Sequence, residues 1–289
     1  MSSKYFLGCV IPGRLPYLEV SARKTFEKLG IEISDQAKCS CCPDPTGTGL
    51  LDHQSWLVIG ARNLCLYEES KSDIVSLCSG CTESLKTVKY LLDKDENIKK
   101  EINDKLKSIG KNYKGNIDVK HFAEILFENI ESIEKKVKKP LKDLKIAGHP
   151  GCHYLRPSEI IQWDDPLNPT TLDRLIEAIG ADPVNYSLKN DCCGNPVEKA
   201  DKDVSYSMLQ NKLKSMKESG TDCIACVCPA CYQQFEFNQR EVNKKFNTDY
   251  NFPVFYITEL IALAFGLKAE ELGLKFHRIK VNEFLQKYS

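Results

Sequence analysis

The chain contains 289 residues, 42% of them hydrophobic, and its 40 basic and 40 acidic residues cancel. This length is typical of two domains, and the balanced charge argues against a surface that binds nucleic acid or an anionic membrane. The longest apolar run, residues 260–267, is too short to cross a bilayer, and the N-terminus lacks the features of a signal peptide, so we expect a cytoplasmic protein without membrane insertion.

Strands and helices alternate along the first half of the chain. Residues 5–9 predict a buried strand that ends at Cys9, and apolar residues at helical spacing predict a helix over 19–29 that ends at Gly30. The later elements predicted in this half are a strand over 31–33, an irregular loop over 39–45, a helix over 50–67, a strand over 73–77, a helix over 82–92, a solvated helix over 93–111, a strand over 117–119 and a helix over 122–133.

The second half begins the alternation again after a lysine-rich linker over 134–140. We place the boundary after residue 138, which gives an N-terminal domain over 1–138 and a C-terminal domain over 139–289. The elements predicted in the second half are a strand from 145 towards Cys152, helices over 171–179, 204–217 and 233–246, and a strand over 223–227. Residues 254–261 match 119–126 in register, whereas residues 268–289 have no counterpart and are expected to cover their own domain as an amphipathic extension.

Ten of the fourteen cysteines form two copies of one pattern, in which a single cysteine precedes an adjacent pair and then a Cys-x-x-Cys segment. The first copy consists of Cys9, Cys41, Cys42, Cys78 and Cys81, and the second of Cys152, Cys192, Cys193, Cys228 and Cys231. The repeat indicates a duplicated domain. We therefore predict an α/β fold with two pseudo-symmetric, parallel-sheet, Rossmann-like domains, whose cysteines gather at the carboxyl ends of the strands.

The number of cysteines in each copy helps to distinguish a zinc site from an iron–sulfur site. A Cys-x-x-Cys turn directs two thiolates at one site and occurs in both zinc and iron–sulfur proteins. A zinc ion or a cubane cluster uses four protein ligands, but each copy offers five, and adjacent cysteines reach different irons of a larger cluster more readily than one small ion. The pattern therefore favours an iron–sulfur centre over a zinc-stabilised binding module, which remains an alternative.

The two patterns resemble the paired CCG domains found in the B-type subunit of heterodisulfide reductase from methanogenic archaea, and the resemblance covers nearly the whole chain. It implies two noncubane 4Fe–4S clusters, each bound by five cysteines. The implied ligands are Cys9, Cys41, Cys42, Cys78 and Cys81 for the first cluster and Cys152, Cys192, Cys193, Cys228 and Cys231 for the second. One departure is that Pro43 stands where the second pair is followed by Gly194, which leaves the turn of the first loop open.

The resemblance implies a catalytic subunit that reduces the mixed disulfide of coenzyme M and coenzyme B to two thiols. Because this cleavage takes two electrons and iron–sulfur clusters usually pass one, we expect the disulfide to lie between the clusters and to receive one electron from each. The alternative is a CCG-type electron-transfer subunit of another oxidoreductase, such as a hydroxyacid oxidase, a succinate dehydrogenase or a thiol:fumarate reductase.

The source of electrons points to partners. The chain lacks the cysteine run of ferredoxin-type clusters and the Gly-x-Gly-x-x-Gly of dinucleotide sites, so another subunit must supply electrons. In the family, a ferredoxin-like iron–sulfur subunit supplies them from a flavin-containing subunit. A hydrogenase and a formate dehydrogenase are the candidate upstream donors.

Several other residues carry weaker signals. His149 and His153 flank Cys152, and His153 is our candidate proton donor to a leaving thiolate, with a structural hydrogen bond as the alternative role. The substrate implied by the family carries anionic groups, for which the candidate partners are Arg14, Arg62 and Arg156. Cysteines outside the repeat are expected to pack as small apolar residues, although two of them lie close enough to a proposed ligand for either role; the four are Cys39, Cys65, Cys223 and Cys226.

Overall fold

A sheet of four parallel strands organises the first half of the chain in the computed structural model, which describes residues 2–281 and 285–286. The strands are β1 (Ser2–Phe6), β2 (Ile33–Asp35), β3 (Ser72–Ser76) and β4 (Val119–His121), in the spatial order β2-β1-β3-β4. The central strands bury apolar residues because helical crossover connections cover a parallel sheet. Phe6, Ile74 and Val75 are accordingly at most 1% exposed.

Eight helices are described in this half: α1 (Val10–Arg14), α2 (Pro16–Leu29), α3 (Thr48–Leu51), α4 (His53–Glu69), α5 (Ser79–Lys94), α6 (Glu96–Leu106), α7 (Phe122–Glu128) and α8 (Ile130–Lys136). Two predicted helices are therefore each divided in two. The helix expected over 50–67 breaks at Asp52, whose side chain accepts the N–H of Ser55 and caps α4. In the charged segment expected to be solvated, α6 buries Ile102 and Leu106, so one of its faces packs on the core.

The second half repeats the architecture of the first. Its strands are β5 (Lys145–His149), β6 (Asp182–Pro183), β7 (Cys223–Cys226) and β8 (Val254–Tyr256), in the order β6-β5-β7-β8 and all parallel. Its helices are α9 (Ser158–Ile161), α10 (Thr171–Ala178), α11 (Lys202–Glu218), α12 (Pro229–Phe246) and α13 (Ile257–Ala264). The two-residue strand β6 was not predicted, because it is too short to show a period. The predicted fold class, two pseudo-symmetric parallel-sheet halves, is confirmed.

The last helices of each half pack against the other half. Helix α13 of the second half packs on α2 of the first, and α7 and α8 of the first half pack on α10 of the second. At the α2–α13 contact, Ser21 and Thr258 share a hydroxyl hydrogen bond of 2.7 Å, and the Thr25 hydroxyl donates to the Thr258 carbonyl at 3.0 Å. The helices that follow the cysteines also cross over: α1 contacts α12, and α5 contacts the turn over Cys152–Tyr154. This reciprocal packing brings the two cysteine-bearing edges together.

The C-terminal extension packs on both halves as far as the structure describes it. His277 lies 3.0 Å from the Glu259 carboxylate, with both side chains fully buried, and the Glu236 carboxylate accepts the backbone N–H of Arg278 at 2.6 Å. The ring of Phe276 stacks on Tyr17 of the first half. The rest of the predicted extension, residues 282–284 and 287–289, lies outside the described residues. Within the described ranges, none of the helices combines the length and hydrophobicity needed to span a membrane.

Candidate metal centre

The cysteines of both copies lie at turns that follow the carboxyl ends of strands. Cys9 directly precedes α1, and Cys152 opens a 3-10 turn three residues after β5. Cys78 and Cys228 directly precede α5 and α12, so the first turn of each helix carries the second cysteine of the Cys-x-x-Cys segment. The partial positive charge of a helix N-terminus favours thiolates at these positions.

The first cysteine group consists of Cys9, Cys41, Cys42, Cys78 and Cys81. The sulfur of Cys9 lies 3.8 Å from that of Cys41. Within the group, three further pairs of thiols lie close enough to shift each other's pKa values: Cys41 and Cys42, Cys42 and Cys81, and Cys81 and Cys78. Cys9 and Cys41 are exposed, whereas the other three are buried. The fold thus brings all five thiols of the first copy into one connected group that opens to solvent at one end.

The second cysteine group consists of Cys152, Cys192, Cys193, Cys228 and Cys231. Cys152 and Cys192 lie close enough to shift each other's pKa values, and so do Cys192 and Cys193. The sulfur of Cys193 lies 3.5 Å from that of Cys231, and the nearby Cys228 also shifts the pKa of Cys231. Cys152 and Cys192 are partly exposed, and the other three are buried. The second group therefore has the same arrangement as the first, but none of its thiols is as open.

The two groups touch at the junction between the halves. Cys78 and Cys228 lie close enough for each thiol to shift the pKa of the other, so the two groups adjoin across the pseudo-symmetric interface. The sequence repeat predicts two sites, but this contact between them becomes visible only in the folded chain.

Crowding spreads the pKa values of the thiols. Interaction with a neighbouring thiol, Cys41 in the first case and Cys152 in the second, lowers the pKa of Cys42 to about 5 and that of Cys192 to about 2. Neighbouring thiols also hold the pKa of Cys228 well below its ordinary value. The pKa values of the other seven are raised, because each of these thiols interacts with a neighbouring thiol and is also desolvated. Ionising all five thiols of a group therefore requires a compensating positive charge.

Glycine precedes the single cysteine of each group and lets a sulfur approach the backbone. Gly8 and Gly151 have φ values of +69° and +80°. A Cβ added to Gly8 would lie 2.9 Å from the Cys81 sulfur, and one added to Gly151 would lie 3.4 Å from the Cys231 sulfur. Five crowded thiols enclosed this closely by backbone are a donor set that fits an iron–sulfur group.

Buried side chains hold the loop that carries the adjacent pair of the first group. The Asn63 amide donates to the Cys41 carbonyl at 3.0 Å. The Ser84 hydroxyl donates to the Cys42 carbonyl at 2.9 Å and accepts the indole N–H of Trp56 at 2.9 Å. Because α4 and α5 carry these side chains, the helices of the first half determine where the adjacent cysteines lie.

The corresponding loop of the second group is held by different residues. The Ser205 hydroxyl donates to the Gly194 carbonyl at 2.9 Å and accepts from the Gln234 amide at 3.0 Å. The buried ammonium of Lys212 donates to the Leu188 carbonyl. Gly194 has a φ of +87°, which a proline cannot adopt, so the turn after Cys42, where Pro43 stands, differs from the turn after Cys193.

Carbonyl groups just before the two Cys-x-x-Cys segments join the halves. The hydroxyl of Tyr256 donates to the Leu77 carbonyl and lies 3.1 Å from the Val227 carbonyl. His121, the counterpart of Tyr256 in the repeat, places its Nε2 3.0 Å from the same Val227 carbonyl. His121 is 1% exposed and therefore lies in the core. These two residues fix the separation of Cys78 from Cys228.

The candidate proton donor His153 lies at the interface between the halves. Its Nδ1 is 3.7 Å from Oε2 of Glu83, which lies on α5 two residues after Cys81. Glu83 is 6% exposed, and burial raises its pKa above the ordinary value, although the nearby His153 opposes the shift. A carboxyl group of one half thus faces an imidazole of the other, beside both cysteine groups.

The three candidate arginines lie in different surroundings. Arg62 donates to the Asn63 side chain at 3.1 Å, and Arg156 donates to the carbonyls of Asn190 and Pro166 at 3.3 and 3.0 Å. Arg14 is exposed and lines an open groove of about 920 Å³. Arg62 and Arg156 thus support the loops that carry the adjacent cysteines.

Four cysteines lie outside the repeat. Cys65, Cys223 and Cys226 are at most 1% exposed, and the last two lie on β7. Cys39 is partly buried and its thiol lies 3.6 Å from the Tyr67 hydroxyl. All four pack among protein groups, including the two for which the spacing left either role open.

Sequence reasoning missed several residues that shape the site, chiefly Glu83, Asn63 and Tyr256. Tyr256 lies in the repeated segment and could have been found there, since its counterpart is also polar. Asn63 and Glu83 occupy ordinary helix positions, and only the packing of α4 and α5 shows what they contact.

Comparison with known proteins agrees with this geometry. Residues 3–86 and 146–236 match the family of the CCG cysteine-rich domain. The B-type subunit of the ferredoxin:CoB-CoM heterodisulfide reductase of Methanosarcina mazei is 37% identical over 98% of this chain and 95% of its own. The membrane anchor subunit of the 8-methylmenaquinol:fumarate reductase of Wolinella succinogenes is 30% identical over 95% of this chain and 96% of its own.

A solved structure supports the fold alone. A hypothetical protein from Helicobacter pylori superimposes with a TM-score of 0.81 over 98% of this chain, at 18% identity, and this chain spans 52% of that one. The family match, the relatives and the two groups of thiols together define an iron–sulfur protein of the oxidoreductase class. The chain belongs to the CCG cysteine-rich domain family, and relatives that are 37% identical to it are named as B-type subunits of heterodisulfide reductase.

Proposed function

We propose that this chain is the disulfide-reducing subunit of a CoB–CoM heterodisulfide reductase, with one noncubane 4Fe–4S cluster in each cysteine group. The observation that carries the proposal is that the two groups of five thiols adjoin at the interface between the halves. There Cys78 and Cys228 shift each other's pKa values, and the Tyr256 hydroxyl contacts the carbonyls that directly precede both cysteines. The names of the relatives from two Methanosarcina species agree with it. Two separate electron-transfer sites would not need their cysteine ligands to touch.

The ten cysteines of the two groups would hold the clusters, which supply single electrons when bound. Reduction of a disulfide R–S–S–R′ consumes two electrons and two protons and releases two thiols. A substrate placed where the groups meet would lie within reach of both. Because Cys78 and Cys228 each directly precede a helix, the N-terminus of α5 would lie on one side of the substrate and that of α12 on the other.

The protons require a donor, and the geometry favours His153. Its imidazole is partly exposed, follows Cys152 directly and faces the buried carboxyl of Glu83. A histidine in this position would be able to give a proton to a leaving thiolate, and Glu83 would orient the ring. The first half has Val10 at the equivalent position, so only one half provides this donor.

Partners follow from the electron balance. Because ten of its cysteines are assigned to the two proposed clusters and the chain carries no dinucleotide motif, a ferredoxin-like iron–sulfur subunit and a flavin-containing subunit would deliver the electrons. A hydrogenase or a formate dehydrogenase would reduce the flavin.

Metal analysis and turnover test the proposal. Anaerobically purified protein should contain about eight irons per chain with matching acid-labile sulfide, and should reduce the heterodisulfide with an artificial one-electron reductant. Cys192→Ala should abolish turnover and alter the paramagnetic signal of one cluster. Cys65→Ala, which removes a buried cysteine outside both groups, is the matched control and should retain both signals.

The alternatives predict different results. Zinc without sulfide would show that the chain is a zinc-stabilised module. Eight irons and reversible reduction without disulfide turnover would indicate an electron-transfer subunit of another oxidoreductase. Loss of both paramagnetic signals in Cys192→Ala would contradict two separately assembled clusters.

A further inference from the structure

His149 is a buried histidine without a hydrogen-bonding role. It is the last residue of β5, and its side chain is 0% exposed. Among the residues that the structure describes, neither Nδ1 nor Nε2 has a hydrogen-bond partner. Buried polar atoms are nearly always paired, so two unpaired nitrogens on one ring call for a specific explanation.

The imidazole lies beside two thiols of the second cysteine group. One of its nitrogens and the sulfurs of Cys193 and Cys231 all lie within 4.8 Å of one another. Metal–ligand bonds of about 2.0–2.3 Å in a tetrahedral site separate neighbouring ligand atoms by about 3.5 Å. The three donor atoms therefore need to move little to share one metal ion. Gly151 borders the same groups, since a Cβ there would be in ordinary contact with the Cys231 sulfur at 3.4 Å and with Nε2 at 4.0 Å.

The first half has no such donor. Phe6 ends β1 three residues before Cys9, as His149 ends β5 three residues before Cys152, and Phe6 is also 0% exposed. The ring of His149 packs edge-on against Phe235 at 5.0 Å, a contact that an aromatic ring without nitrogens would also make. An apolar ring would fill this space at less cost, since desolvating unpaired ring nitrogens is unfavourable. The imidazole is therefore explained better by a ligand than by packing.

We propose that His149 is a nitrogen ligand to an iron of the second cluster, next to Cys193 and Cys231. This inference rests on the clusters proposed above and goes beyond their five cysteines. A neutral nitrogen ligand leaves less negative charge on a cluster than thiolates alone, which raises its reduction potential. The two centres would thus differ, and the second would be the easier one to reduce.

Isotope labelling tests the ligand directly. The chain has five histidines, so protein grown with ¹⁵N-histidine changes few nitrogens. Electron–nuclear double resonance of the reduced clusters should show a directly coordinated nitrogen whose signal changes with the label. His149→Phe, which copies the first half, should lose this signal and lower the midpoint potential of one cluster. His149→Gln should also lose the nitrogen signal. This variant replaces His149→Phe as the test if the phenylalanine variant does not fold.

The exposed histidine His53 provides the control, and His53→Gln should retain the nitrogen signal. Clusters that assemble fully without any coordinated nitrogen in the wild-type protein would overturn the inference and leave the proposed function intact. A nitrogen signal that persists in both His149 variants would overturn it as well. Wild-type protein without iron and sulfide would refute both proposals.

Discussion

Replacing Gly8 with alanine tests how closely the backbone encloses the first cysteine group. Gly8 has a φ of +69°, and a Cβ there would lie 2.9 Å from the Cys81 sulfur, whereas ordinary contacts begin at 3.4 Å. The sulfur would therefore have to move by about 0.5 Å, but metal–ligand distances tolerate only about 0.2 Å. Gly8→Ala should therefore displace Cys81 from the first cluster.

Alanine substitutions at two other glycines serve as controls. They distinguish the effect of the steric contact with sulfur from the cost of placing alanine in a left-handed backbone conformation. Gly30 has a φ of +77° and open space around it, so Gly30→Ala bears only the cost of a left-handed alanine, about 1–2 kcal/mol. At Gly151 the added Cβ would lie 3.4 Å from the Cys231 sulfur, which is an ordinary contact. Gly151→Ala should behave like Gly30→Ala, and Gly8→Ala should lose a ligand in addition.

Iron and acid-labile sulfide, measured on anaerobically purified protein, distinguish the three variants. Gly30→Ala and Gly151→Ala should retain about eight irons per chain, while Gly8→Ala should fall towards about four with the signal of the second cluster preserved. Urea unfolding of each variant gives the backbone cost separately. Equal iron content in Gly8→Ala and Gly30→Ala would refute the steric reasoning.

Three further predictions concern parts of the molecule that support the site. Tyr256→Phe removes the hydroxyl that joins the halves and should lower the unfolding free energy by about 1–3 kcal/mol in urea, whereas Tyr90→Phe, whose hydroxyl accepts a surface hydrogen bond, should change little. Asn63→Ala should reduce the iron content of the first group alone, and iron contents equal to wild type would show that its amide is not needed. Burial raises the pKa of Glu236 to about 7, from 4.5, so between these pH values the folded chain holds a proton that the unfolded chain has released. Stability should therefore fall by up to about 3 kcal/mol as pH rises through this window, and urea unfolding of Glu236→Gln should show a flatter slope.

Most of the fold could be predicted from the sequence because the two halves repeat the same order of strands, helices and cysteines. Apolar runs before Cys9, Cys78 and Cys228 predict strands, and each was found within a few residues of its expected place. The main errors were local. Two long helices are interrupted, and β6 is two residues long, because capping by Asp52 and a short strand pairing leave no periodic signal.

The ligand set remains a prediction, although the structure brings all ten of the cysteines together. Spacing alone could group them in two fives, since the repeat contains the same five positions twice. The roles of Glu83 and His149 could not be read in this way. Each depends on residues more than forty positions away, and sequence distance carries no information about such contacts.

The sequence by itself determined the duplicated α/β plan and the identity of the ten thiols, because strand period, helix period and cysteine spacing are local properties. Only the tertiary structure decided that the two cysteine groups meet at Cys78 and Cys228. That meeting arises from the exchange of α7 and α13 between the halves and from the Tyr256 hydroxyl at their junction. Packing between distant surfaces therefore joined two local motifs into one site.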